Sequence, residues 1–204
     1  IEAPGGGSYD TRAGLREQIL SPEPLHLLGT QWKFWDANWW PDWTKSAKKL
    51  AWFYEKSDGP TVDGVIGITT TAAENFLAAI GPIDLKEKYG MEITADNFWA
   101  TVQEIVEEKK TGEKEPKQII GDLLTKITEE LPARLNKDNL TGLIKAAEES
   151  LNEKQILLYS NDEELQKKVD ELGWSGRMKE AEGDYLAVIN TNIGGGKSDR
   201  KIRE

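Results

Sequence analysis

The chain has no cysteine and a single histidine, His26, among 204 residues. Disulfides, thiolate nucleophiles and thiolate metal sites are therefore all excluded, as is a zinc site built from several histidines. Basic residues are also in deficit: 26 Lys and Arg stand against 36 Asp and Glu, a formal charge of −10. No arginine stripe offsets that field, so a nucleic-acid partner is not expected. No apolar run reaches the roughly 18 residues that a membrane span needs. Because the sequence opens on Ile1 and stops at GGGKSDRKIRE, shortly after a strand-like run, it reads as a fragment, with a signal or an anchor upstream left open.

Tryptophan is plentiful. The stretch WKFWDANWWPDW, residues 32 to 43, holds five of the chain's eight tryptophans. Trp32, Trp35, Trp39 and Trp43 recur at helical spacing, but Pro41 interrupts any helix there, so the expected course is a strand ending near Asp36, a turn through Asn38 to Pro41, and a helix starting at Trp43. Each indole removes about 150–250 Å² from water when buried, which favours a core role for most of these rings. Trp39 and Trp40, in the turn, are expected to be the most open. With Asp36, Asn38 and Asp42 beside them, they are candidates for a platform that stacks sugar rings.

Further along, Asp42 is the expected N-cap of a helix through Ala47, Leu50, Ala51 and Tyr54. VDGVIGIT, residues 62 to 69, reads as an interior strand covered on both faces. Val65 and Ile66 facing solvent would count against joining it to the tryptophan elbow as one packed unit. Thr71 and Glu74 suggest a capping box for a helix ending at Gly81-Pro82. Phe98, Trp99, Val102, Ile105 and Val106 mark a helix from Ala95 to about Lys109, followed by the solvated connection EEKKTGEKEPK. Two more amphipathic helices, about Ile119 to Ile127 and Leu140 to Leu151, are expected on either side of Pro132. The last third reads as strand QILLYS, a helix opened by a Ser160 and Glu163 capping box, loop GWSGRM, and strand DYLAVIN.

Helices alternating with strands give an α/β or α+β class, a mixed sheet of a few strands covered by helices. Residues 1–19 are expected to be a loop or frayed end, and residues 20–204 one domain with a helical lobe at about 95–153.

NTNIGGGKSDR, residues 190 to 200, runs from a strand into glycines and a lysine, as phosphate-binding loops do, but it lacks the full Walker spacing because Thr191 stands where a glycine is required. It reads either as a flexible turn or as a weaker site in which backbone N–H groups of Gly194 to Gly196, with Lys197 and Arg200, hold a phosphate and Asp199 holds a divalent cation such as magnesium, with Asn190 and Asn192 as further ligand-binding candidates. Asp63, near an apolar strand, is expected at a strand start. His26 reads as a packing or surface residue, with no serine placed to be its nucleophile.

The ordered blocks DANWWPDWTKSAKKLAWFYEK, VDGVIGITTTAAENFLAAIGPI, ITADNF, LLYSNDEELQKKVDELGWSGRM and DYLAVINTNIGGGKSD resemble the bacterial domain-of-unknown-function 4012 family over roughly residues 20 to 200. Members of that family are usually tethered outside the cytoplasmic membrane by an N-terminal helix and carry an upstream arginine-glycine-glycine segment; these 204 residues contain neither. A looser likeness runs to LytR-CpsA-Psr proteins, which transfer lipid-linked glycans with arginines, aspartates and a divalent cation. The resemblance implies an extracytoplasmic cell-envelope domain. Two functions are expected: handling a phosphorylated polyprenyl glycan, with Asp36, Asn38, Lys197 and Asp199 nearest the ligand, or non-catalytic binding of a cell-wall glycan or protein through the tryptophan corner or the acidic helical lobe.

Overall fold

The structure, a computed structural model, describes residues 15, 17–27, 29–108, 118–135, 137–179, 181–184 and 186–189. The described residues form seven α-helices and four short strands: α1 Trp43–Lys56, β1 Gly64–Ile68, α2 Thr70–Ile80, β2 Ile83–Leu85, α3 Lys86–Tyr89, β3 Met91–Ile93, α4 Phe98–Glu108, α5 Gln118–Arg134, α6 Lys137–Asn152, β4 Ile156–Ser160 and α7 Glu163–Glu171. The class is mixed α and β, as expected, with the strands divided between two antiparallel pairs, β1 with β4 and β2 with β3.

Helix α1 starts where its sequence dictates. Asp42 accepts from the Thr44 amide at 3.0 Å and from the Thr44 hydroxyl at 2.6 Å, satisfying a first-turn donor that no helix carbonyl reaches. Two other helix starts differ from expectation. Thr69, not Thr71, caps α2 by accepting from the Ala72 amide, because β1 ends at Ile68 and the first free amides follow directly. Asp162, not Ser160, caps α7 through the Leu165 amide at 2.7 Å, leaving the Ser160 hydroxyl to accept from the Asp162 amide. Pro132 does not separate α5 from α6. It sits inside the last turn of α5, where its missing N–H forfeits one bond to a carbonyl four residues upstream, and the helix still closes with Leu135 N–H donating to the Leu131 carbonyl.

The register of the main sheet pairs Val65 with Tyr159 and Gly67 with Leu157. These residues face α1: Val65 and Leu157 pack with Trp43, Ala47 and Tyr159. A Cβ on Gly67 would lie 2.7 Å from the Trp43 ring, so only glycine lets the indole cross the strand this closely. The other face is open at β1, where Ile66 is 63% and Ile68 62% exposed. This corrects the expectation of a strand buried on both faces. Gly64 and Gly67, on opposite faces, blur the half-buried pattern, and two β-branched residues on the outer face make the run look uniformly interior. Residues 32 to 80 are nevertheless continuous, since the elbow passes into α1 and α1 packs on Val65 and Gly67.

Two further readings change. Among the described residues between Leu20 and Phe34 there is no strand beyond a single bridge, Leu20 with Gln31, with 3-10 turns at Glu23–Leu27 and Phe34–Asp36. In DYLAVIN, described residues 186–189 belong to no strand, and Leu186 and Val188 are 88% and 76% exposed.

A second core lies away from the sheet. Buried Ile83, Leu85 and Ile93 of the β2–β3 hairpin meet Leu77 and Ile80 of α2, Phe98 and Ile105 of α4, and Ile119 and Leu123 of α5. Helices α2 and α6 pack side by side, with Asn75 donating to the Ser150 hydroxyl at 3.2 Å. Of the expected loop and connections, residues 1–14, 109–117 and 190–204 lie outside the described residues.

Candidate functional site

The tryptophan elbow folds inward around Phe53, whose relative exposure is 0%. Trp32 and Trp52 meet that ring edge-on, with centroids at 5.7 and 5.2 Å, and Trp40 meets Trp32 at 5.6 Å. The turn is held by Ser46, whose hydroxyl donates to the Trp40 carbonyl and accepts from the Trp40 amide, both at 3.0 Å. The Trp32 indole N–H donates to the Asp36 carbonyl at 3.1 Å. In the middle of these rings lies Lys49, its ammonium 4.2 Å from the Trp52 centroid and 4.8 Å from that of Trp32. Burial pulls the Lys49 pKa below the ordinary lysine value, and the nearby charge of Glu17 opposes that shift.

Four of the residues singled out from sequence meet on this corner. Asp36 is half-buried in a 3-10 turn, Asn38 is exposed, and Trp39 and Trp40 are half-buried against the Trp32 and Phe53 cluster. The most open indole of the elbow is Trp35, 50% exposed, with the Lys33 ammonium 4.8 Å from its centroid. The other four, Asn190, Asn192, Lys197 and Asp199, lie outside the described residues, as does Arg200. Asp63 stands just before β1, where its carbonyl accepts from the Asn161 amide at 2.8 Å. His26 is on the surface, its Nε2 2.8 Å from the Ser21 carbonyl. Among the described residues, no group of three or more His, Asp or Glu is arranged to hold a metal ion.

Beside the corner, the second half of α1 and the end of the β1–β4 sheet enclose a cleft of about 170 Å³. Its walls are Lys48, Ala51, Trp52 and Glu55 from α1, Thr61 and Val62 from the approach to β1, and Tyr159 and Asn161 from β4 and its end. The polar groups are ordered relative to one another. Tyr159 donates its hydroxyl to Asn161 Oδ1 at 2.9 Å, and Asn161 Nδ2 donates to the Val62 carbonyl at 2.6 Å. The Lys48 ammonium lies 5.8 Å from the Tyr159 ring centroid. Burial raises the Tyr159 pKa above that of a free phenol, so the hydroxyl stays protonated at neutral pH. A larger groove, about 250 Å³, is lined among the described residues by Gly121, Leu124, Thr125, Thr128 and Glu129 of α5.

The cleft escaped the sequence reading because its walls are brought together across the fold. Asn161 reaches Val62 over 99 positions. The signals available in sequence were slight: lysine, tryptophan and glutamate on one flank of α1, and a tyrosine followed two residues later by asparagine at a strand end.

Residues 10–106 match the model of the family described as Protein of unknown function (DUF4012), which supports the kinship read from the sequence over that part of the chain. No curated protein and no solved structure matches the chain. The matched portion contains the elbow, α1 and β1, and therefore every wall of the cleft except Tyr159 and Asn161.

Proposed function

We propose that this domain is a non-catalytic binding module that takes a hydroxyl-rich ligand, one ring of a cell-wall glycan, in the cleft between α1 and the sheet. The observation that carries this reading is the cleft's composition: Trp52 and Tyr159 offer ring surface for sugar C–H groups, while Lys48, Glu55 and Asn161 offer charged and amide partners for hydroxyls. Its volume is below that of sites enclosing drug-sized ligands, which suits a single ring rather than a buried chain. Glu55 is the one carboxylate among the lining residues, whereas glycoside hydrolysis ordinarily uses two. Asp36, Asn38, Trp39 and Trp40, on the adjoining corner, would meet further units of a longer glycan.

The test is a titration with N-acetylhexosamine oligosaccharides followed by NMR. At roughly 0.3 kcal/mol per non-hydrogen atom, one ring gives a Kd on the order of 1 mM. Shifts at Trp52, Tyr159 and Asn161 that vanish in Trp52→Ala, while Trp39→Ala keeps them, are the expected result. Unmoved signals at concentrations about tenfold above that Kd rule the reading out.

A finer reading places the module outside the cytoplasmic membrane and makes the glycan a phosphorylated polyprenyl one, in the manner of LytR-CpsA-Psr proteins. It is supported by the sequence likeness and by the glycine-rich NTNIGGGKSDR run with Lys197 and Asp199. A polyprenyl pyrophosphate added with magnesium should then raise the Tm, and Lys197→Ala should abolish the rise. An unchanged Tm would leave the glycan-binding reading standing without its lipid.

A further inference from the structure

The hydrogen bonds of the main sheet show which edge of β1 is free. Asn161 N–H donates to the Asp63 carbonyl and Thr69 N–H to the Gln155 carbonyl, so in an antiparallel ladder the odd-numbered residues 63, 65, 67 and 69 bond to β4. The backbone groups of Gly64, Ile66 and Ile68 point the other way. On β4 the corresponding outer groups are occupied, with Leu158 N–H donating to the Trp174 carbonyl at 3.0 Å and Ser160 N–H to Gln166 Oε1 at 2.8 Å. Among the described residues, nothing pairs with the outer edge of β1, and the sheet stops there. That edge carries none of the usual safeguards, since GVIGI has no charge and no proline, and its open face shows Ile66 and Ile68.

We propose that the outer edge of β1 takes the chain's own run LAVI, residues 186–189, as a third strand. This run has strand composition, rich in aliphatic and β-branched residues, and residues 186–189 lie in no element, with Leu186, Val188 and Ile189 all exposed. In a strand, Leu186 and Val188 share one face, which would set them beside Ile66 and Ile68 and put the small Ala187 on the side of Gly67. The tether starts close by. The Gly176 carbonyl accepts from Trp43 N–H at 3.2 Å, and the Trp43 ring lies against Gly67 of β1. The ten residues from Gly176 to Leu186 can span roughly 33–36 Å, several times the separation of neighbouring strands. Tethering also favours this occupant over a second copy of the chain by its effective concentration. A β1-to-β1 dimer would in addition leave Leu186 and Val188 uncovered.

The full chain tests this by NMR. Methyl contacts between Ile66 or Ile68 and Leu186 or Val188 are expected, together with slow amide exchange at Ile66 and Ile68. Val188→Pro should speed exchange at those two amides by about tenfold or more while Val65 and Gly67, bonded to β4, keep theirs. Fast exchange at Ile66 and Ile68 in the unaltered chain, or absence of the methyl contacts, overturns the proposal. Protection that survives Val188→Pro also overturns it; if that protection falls on dilution, a second copy occupies the edge.

Discussion

Around Phe53 the interior is built of rings, and around Ile93 of aliphatic chains. Phe53 is enclosed by Trp32 and Trp52, with Lys49 inserted between the indoles; Ile93 is enclosed by Ile83, Leu85, Leu77 and Ile119 with no charged group among the buried members. The difference has a chemical consequence. An indole has one polar edge to satisfy, so the aromatic half needs partners such as the Asp36 carbonyl for Trp32. The aliphatic half meets polarity only at its rim, where Asp122 ties Lys88 at 2.6 Å and Tyr89 at 2.5 Å. Rings with a polar edge can serve core and surface together, which is why the candidate cleft adjoins Trp52.

The comparison is tested most severely by emptying each core. Phe53→Ala is expected to cost about 3–5 kcal/mol and Ile93→Ala about 2–5 kcal/mol in urea unfolding. Because the two sites share no packed residue, the double variant should show coupling below roughly 0.5 kcal/mol; a coupling above about 1 kcal/mol would mean that the halves are one core. Next in size is Gly67→Ala. Its methyl would meet the Trp43 ring, and a loss of about 1–3 kcal/mol is expected, whereas Gly29→Ala, with open space around it, should change stability little.

Smaller still is the cap at Asp42. Burial pushes its carboxyl upward, but the Thr44 hydroxyl, the Lys45 and Thr44 amides and the Lys45 charge together hold it below the usual carboxylate range. Asp42→Ala should cost about 1–2 kcal/mol. Since the folded state lowers this pKa, its contribution is present above the ordinary value of 3.8 and fades as pH falls through the lower folded value, so Asp42→Asn should flatten the acid side of a Tm-against-pH curve. The smallest effect concerns Lys49. Its ammonium should titrate below an ordinary lysine in a ¹³Cε experiment, stability should rise with pH through that range as the buried charge is released, and Lys49→Met should remove the rise. A normal or raised value would place the ammonium in water, outside the rings.

Much of this was readable from residues, and the failures have local causes. Pro41 and Asp42 announced the start of α1 because one cannot lie inside a helix and the other can cap it. The β2–β3 hairpin was missed: IDL and MEI are three residues each, too short to show a period, and they are specified by burial of Ile83 and Ile93 against helices distant in sequence. Two helix caps lie two residues from the expected positions because the ITTTA and SND runs offer several hydroxyl or carboxylate candidates, and the end of the preceding strand makes the choice. As for the candidate site, α1 supplied half its wall from a legible helix, but no local pattern joins Lys48 and Trp52 to Tyr159 and Asn161.

The pairing of β1 with β4 has a consequence for how the chain is made. Thr69 and Gln155, whose side chains meet at 2.6 Å at the end of that ladder, are 86 positions apart. On a ribosome, the elbow, α1 and β1 emerge long before their strand partner, so both edges of an uncharged GVIGI segment stay unpaired while the intervening helices are synthesised. Chains that end before residue 156 should accordingly be the aggregation-prone ones, and holding factors that shield bare strands should act during that interval.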